Sequence, residues 1–192
     1  MRVSQAEKDR SHARIVETAA RLIRERGPET TSVSDVMSGA GLTHGGFYRH
    51  FETKDALVAE AIRATFDGIT GALEERTAAV GAKDAAQDYL AHYLSDEHLA
   101  NPGLGCPVPT LGGEVARAPD ALKAEFGASF NRSLTALARG APGEGKAARA
   151  AATRALAMRV GAILIARASD PATAREVLEA CRQAGPPGSG EG

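Results

Sequence analysis

Between residues 43 and 54 the chain gathers Thr43, His44, Tyr48, Arg49, His50 and Lys54. Of these, Thr43, Tyr48, His50 and Lys54 are the kinds that bond phosphate oxygens. Gly45 and Gly46 stand among them and remove side-chain bulk, so the backbone can approach another surface closely. Phe47 and Phe51, four apart, point one way into a core. The other positions are left on the outer faces. A short helix of this make-up, reaching from His44 to about Phe51, suits the major groove of duplex DNA, which is about 12 Å wide and admits one helix.

Bond-making chemistry has no comparable focus. His12, His44, His50, His92 and His98 are scattered along the chain. There is no phosphate-binding glycine loop, no metal-spaced His/Cys set and no nucleophile elbow. No catalytic residue, metal ligand or cofactor is expected, so the chain reads as something other than an enzyme. Cys106 is the one reactive candidate. It lies in Asn-Pro-Gly-Leu-Gly-Cys-Pro-Val-Pro, a loop expected to open a helix, where the positive end of the dipole favours the thiolate.

The elements that position the 43–54 segment are legible around it. Ser32 is an N-cap, and Asp35 three positions later can close a capping box. Val33, Val36, Met37 and Ala40 follow at helical spacing on one face. Gly39 and Gly41 supply the stop and the tight turn. Thr43 is expected to cap the next helix, and Thr53 the one after it, with Asp55 in its first turn. Before them, residues 1–9 read as a polar arm. A helix from about Arg10 to Arg26, carrying Ile15, Val16, Ala19, Leu22 and Ile23, ends at Gly27-Pro28 and braces the pair. Helix-turn-helix geometry puts the second helix of such a pair in the groove.

The run Thr31, Ser32, Ala40, Gly41, Leu42, Gly45, Phe47, Tyr48, His50, Phe51, Lys54 and Leu57 resembles the DNA-binding motif of the tetracycline-repressor (TetR) family. The resemblance covers roughly residues 10–60. His44 stands where Lys or Ser is common in that family, and Gly46 where Thr, Ser or Ala is common, so no operator sequence carries over. The resemblance implies that Ser32, Thr43, His44, Gly45, Gly46, Tyr48, Arg49, His50 and Lys54 form the DNA-binding surface. It implies an all-α fold: a three-helix DNA-binding domain over 1–57, a helical ligand-binding and dimerisation domain over 58–184, about nine helices in all, and a flexible tail over 185–192.

The composition agrees with an all-helical chain. The 192 residues carry a net charge of −1 and only 4% aromatics, with no strand-like alternation. Residues 1–26 hold seven Lys and Arg (Arg2, Lys8, Arg10, Arg14, Arg21, Arg24, Arg26) against four acids, a local excess suited to phosphates. The first residues are polar and no apolar run is long enough to span a bilayer, so a cytoplasmic protein without a membrane partner is expected. Further helices are expected at about 54–79, 84–99, 110–118, 120–139, 146–168 and 171–184, the last capped by Asp170 with Pro171 first. Cys106 and Cys181, the two cysteines, are not expected to pair.

By the same resemblance the function is that of a dimeric transcriptional regulator. It would be a repressor that a small-molecule effector releases from a palindromic operator. Phe66, Tyr89, His92, Tyr93, Cys106, Phe126 and Phe130 are the expected ligand-binding set, and Met158, Gly161, Ala162, Ile165 and Val177 the expected dimer interface. An alternative is an electrophile- or oxidant-sensing repressor acting through Cys106. An enzyme and an architectural DNA-binding protein are the remaining readings. The large apolar carboxy-terminal region argues against the last.

Overall fold

The computed structural model describes residues 4–183; the expected tail at 185–192 lies outside them. Among the described residues there are nine α-helices, two 3-10 helices and no strand. They are α1 (Gln5–Arg26), α2 (Val33–Gly39), α3 (Lys54–Val80), α4 (Ala82–Tyr93), α5 (Asp96–Ala100), α6 (Val108–Val115), α7 (Asp120–Ala138), α8 (Gly145–Arg167) and α9 (Pro171–Gln183). The 3-10 helices are His44–Arg49 and Pro102–Leu104. No described helix is long and apolar enough to cross a membrane.

The chain packs as two compact units: residues 4–65 with Gly103–Ser129, and Phe66–Pro102 with residues 130–183. These packing units do not follow the expected functional division at residue 57. The first takes in residues well beyond it, including α6.

In the first unit α1 packs against α2 and α6, and α2 against the 3-10 helix His44–Arg49. Ile15, Ala19, Ile23, Met37, Phe47, Ala61, Ile62 and Leu111 form its buried centre. Helix α1 begins earlier than its apolar stripe, so part of the expected polar arm is helical. Ser4 accepts from Glu7 N at 3.2 Å, and Gln5 Nε2 donates to Asp9 Oδ1 at 2.7 Å one turn on. These polar contacts extend the helix without burying anything. Near its other end Arg24 donates through Nε to the Gly103 carbonyl at 2.9 Å and through Nη1 to Thr65 Oγ1. Burial lowers the Arg24 pKa to about 10, against which Cys106 and Glu25 favour the charged form.

In the second unit α8 packs against α9, α4 and α5. The core is mostly small: Ala85, Ala86, Ala151, Ala152, Ala155, Ala162 and Ala166 lie beside Phe66, Leu134, Leu156 and Ile163. Helix ends leave carbonyls without partners inside the helix. Three arginines serve them here. Arg159 Nε donates to Leu90 O at 2.8 Å, Arg167 Nη2 to His98 O at 2.6 Å and Arg182 Nη2 to Leu94 O at 2.6 Å.

The single helix expected over 84–99 is two. Ser95 breaks it, because its hydroxyl accepts from His98 N at 3.1 Å and caps a new helix, α5. The helix expected from Thr110 starts at Val108, with Pro107 at its cap. Asp170 caps α9 as expected, accepting from Ala172 N at 2.9 Å and Thr173 N at 3.2 Å. The Thr173 side chain and backbone hold the Asp170 carboxyl below its ordinary pKa.

Candidate nucleic-acid interface

The expected capping box is present: Asp35 N donates to Ser32 Oγ at 3.0 Å and Ser32 N to Asp35 Oδ2 at 3.1 Å. The bonds from Ser32 hold the Asp35 carboxyl below its ordinary pKa. At the other end of α2, Gly41 N donates to Ser38 O at 2.9 Å and Leu42 N to Met37 O at 2.8 Å. This is the Schellman arrangement, and it requires the left-handed φ of +71° that Gly41 adopts. Gly41 therefore makes the turn, while Gly39 is the last residue of the helix.

The outward segment is a 3-10 helix, not the expected two turns of α-helix, and Thr43 makes no side-chain cap bond to it. Two adjacent glycines in six residues weaken α-helical propagation, and the tighter winding is common in short pieces. The anchors behave as expected. Phe47 is 1% exposed and Phe51 is buried, with ring centroids 5.8 Å apart. Tyr48 is 74% exposed and sets its ring edge-on to Phe47 at 5.3 Å. Ser32, Thr43, His44, Gly45 and Arg49 are also exposed, and Gly46 and Lys54 are half-buried. Lys54 Nζ donates to Glu29 O at 3.4 Å, and Thr53 Oγ1 accepts from Ala56 N at 3.1 Å.

His50 differs from the other polar members. Its Nδ1 is buried without a hydrogen-bond partner, and its ring lies 5.7 Å from that of His12. Burial, then the nearby His12, Lys8 and Arg49, lowers its pKa below 6.5, so it is neutral at pH 7. His12 in turn stacks on Phe51 at 4.7 Å and meets Glu60 Oε1 through Nε2 at 2.6 Å. Sequence reasoning missed this clasp, and nothing local signals a pair 48 residues apart.

A cap, a glycine turn, a buried aromatic pair and an exposed polar edge thus stand together on one packed unit. Residues 15–61 match the model of bacterial regulatory proteins of the tetR family. The amino-terminal region is thus similar to the DNA-binding region of TetR-family regulators. The chain is 36% identical over 61 residues to the HTH-type transcriptional repressor KstR2 of Rhodococcus jostii, across 32% of this chain and 30% of that one. It is 31% identical over 109 residues to an HTH-type transcriptional regulator of Mycobacterium tuberculosis, across 56% and 54%. The chain therefore spans about half or less of the length of these curated relatives. The fold is similar throughout to a solved TetR transcriptional regulator of Chloroflexus aurantiacus, with a TM-score of 0.67 and 26% identity over 93% of each chain.

The residues of the expected ligand set are divided between the two units. Cys106 and Phe126 belong to the first, and Phe66, Tyr89, His92, Tyr93 and Phe130 to the second. There Phe66 meets Phe130 edge-on at 6.3 Å, Tyr89 lies 5.9 Å from Tyr93, and His92 is exposed. None of the seven lines either of two cavities described here. One, about 500 Å³, belongs to the second unit and is walled by alanines with Lys83 and Arg139. The other, about 620 Å³, belongs to the first and is bounded by α3, α6, α7 and the Pro28-Glu29 turn.

Cys106 precedes α6 instead of opening it, because Pro107 holds the cap; neither it nor Cys181 is in a disulfide. Of the expected interface residues, Ala162 is 2% exposed and packed within its own chain, Met158, Gly161 and Val177 are half-buried, and Ile165 is 48% exposed. Leu164, not singled out from the sequence, is 52% exposed. Among the described residues no group of three or more His, Cys, Asp and Glu is placed to hold a metal ion.

Proposed function

We propose that the chain is a dimeric DNA-binding transcriptional regulator, a repressor that a small molecule releases from a palindromic operator. The observation that carries the reading is the exposed edge of His44–Arg49 held rigidly by Phe47 beneath it. Thr43, His44, Gly45, Gly46, Tyr48 and Arg49 are the contact surface, with Ser32 at the start of α2 and Lys54 at the start of α3. His50 contributes as a neutral packing group, since a positive charge there is disfavoured. The name of KstR2 as a transcriptional repressor supports the sign of regulation.

In functional terms residues 1–57 bind DNA, and residues 58–184 bind the effector and a second copy of the chain. Two-fold symmetry lets one short segment per chain read a long palindrome. Gly161 and the exposed Leu164 and Ile165 on α8, with Val177 on α9, form the joining face. An effector changes DNA affinity only by its differential affinity for the two states. The protein works in the cytoplasm, without enzymatic activity.

The test is a fluorescence-anisotropy titration of the purified chain with duplex DNA flanking its own gene, repeated at rising salt. Binding that weakens steeply with salt and falls about tenfold in Tyr48→Ala supports the reading. Salt-independent binding, or binding indifferent to Tyr48, refutes it.

One observation favours a second reading, release by thiol modification. Arg24 and Cys106 lie close enough for their charges to interact favourably. Cys106 is only 6% exposed, however, so its modification requires local opening.

A further inference from the structure

Glu114 lines the 620 Å³ cavity of the first unit, and its Oε2 is buried without a hydrogen-bond partner. Its other oxygen lies over the end of α1, where a Cβ on Gly27 would sit 2.5 Å from Oε1. A carboxylate oxygen taken out of water with nothing donating to it is costly, and a donor supplied by a bound molecule removes that cost.

The rest of the cavity says what kind of molecule. Its volume falls within the range of small-molecule sites, about 300–1,000 Å³. Val58, Ile62, Leu111, Val115 and Leu122 give it an apolar wall. Four carboxylates line it (Glu29, Asp55, Glu114 and Glu125) against two cations, Lys54 and Arg117, so its charge is negative. Glu125 is already engaged, by Arg63 Nε at 3.1 Å and Ser129 Oγ at 3.0 Å. Lys54 is bonded to the Glu29 carbonyl. Of the four, Glu114 is the one with a carboxylate oxygen buried without a donor.

We infer that this cavity binds an amphipathic cation, with its apolar body between α3, α6 and α7 and its N–H donors on Glu114. A charged donor on a carboxylate is roughly twice as strong as a neutral one, which selects an ammonium over an alcohol of the same body. As a binding site the cavity stands apart from the DNA-binding reading. As the effector site it rests on that reading, and then Lys54 is shared between the ligand's wall and the phosphate contact.

The probes are decylammonium, decanol and decanoate, each titrated calorimetrically into the full chain below its aggregation limit. Decylammonium should bind once per chain, about tenfold or more tightly than decanol, with decanoate the weakest. Glu114→Gln should lower the affinity for decylammonium about tenfold and leave decanol unchanged. Ala118→Trp, which fills the cavity from its wall, should remove both, and thermal unfolding of each variant reports that it folds. Equal affinities for the three probes, no binding of decylammonium at millimolar concentration, or binding unmoved by both substitutions overturns the inference. DNA affinity is measured separately without probe, so its failure strikes the DNA-binding reading and leaves the calorimetric result standing.

Discussion

His12 on α1 meets Glu60 on α3 through a 2.6 Å contact while its ring stacks on Phe51. One side chain therefore joins the bracing helix, the start of the long helix and the residue that closes the outward segment. Replacing it removes a hydrogen bond and an aromatic contact together. His12→Ala should cost about 1–2 kcal/mol, read as a lower urea midpoint with an unchanged slope. An unchanged midpoint would show that the clasp adds no stability.

The exposed ring of Tyr48 carries almost none of the fold, so its loss separates binding from stability. Tyr48→Ala should leave the thermal midpoint within about 1 °C and weaken DNA binding about tenfold on every sequence tried, as the loss of a phosphate contact does. Lys54→Ala should act likewise on DNA. A change confined to particular sequences would make these base contacts instead.

Acid should destabilise the chain through its buried imidazoles. His98 is held below its ordinary pKa of 6.5, chiefly by burial and also by Arg167 and His92, against the opposing bond to the Tyr93 carbonyl. His50 is lowered too. Above pH 6.5 neither folded nor unfolded chain protonates these rings, and their contribution is whole. As pH falls below 6.5 the unfolded chain takes up protons first, and stability declines. The thermal midpoint should therefore drop between about pH 7.5 and pH 5.5. The drop should shrink in His98→Asn, which can keep a donor for Tyr93 O, the 2.6 Å partner of His98 Nδ1. A flat profile would contradict the assignment.

Ile165→Glu and Leu164→Glu place a charge on the exposed apolar edge of α8. On the proposed assembly both give monomers in sedimentation velocity that no longer bind a palindromic site. Ala162→Glu should instead unfold the chain, since that position is buried within it. Unchanged mass for the first two would remove α8 from the interface.

Labelling with a maleimide tests the thiol reading. If Cys106 senses electrophiles, modification should release operator DNA in the parent and in Cys181→Ser but not in Cys106→Ser. If Cys106 stays unlabelled in the folded chain, its burial is its role.

What could be read from the sequence was what the chain decides locally. The Ser32–Asp35 box, the Gly41 turn, the Asp170–Pro171 start and the Phe47/Phe51 spacing each involve residues within four positions. The errors came where two local rules compete. Ser95 is tolerable inside a helix and better as a cap, and only the carbonyls that Arg167 and Arg182 satisfy show which wins. Glycines at 45 and 46 were read as room for close approach, which they are, but they also give up the α-helical winding. Nothing near Glu60, Gly103 or Glu114 announces His12, Arg24 or the cavity, because those meetings depend on how α1, α3 and α6 pack.

Gly45 gives the outward segment a capacity for change. A Cβ built there meets nothing within 4 Å, and its backbone is not in the left-handed region. A single substitution can therefore install a side chain on the proposed reading edge, one 3-10 turn before Tyr48, without disturbing Phe47. Adding a Cβ also favours the helical backbone by about 0.5–1 kcal/mol. Sequence preference can drift at this position while the scaffold stays intact, so descendants of one such chain could acquire different target sites with no intermediate that fails to fold.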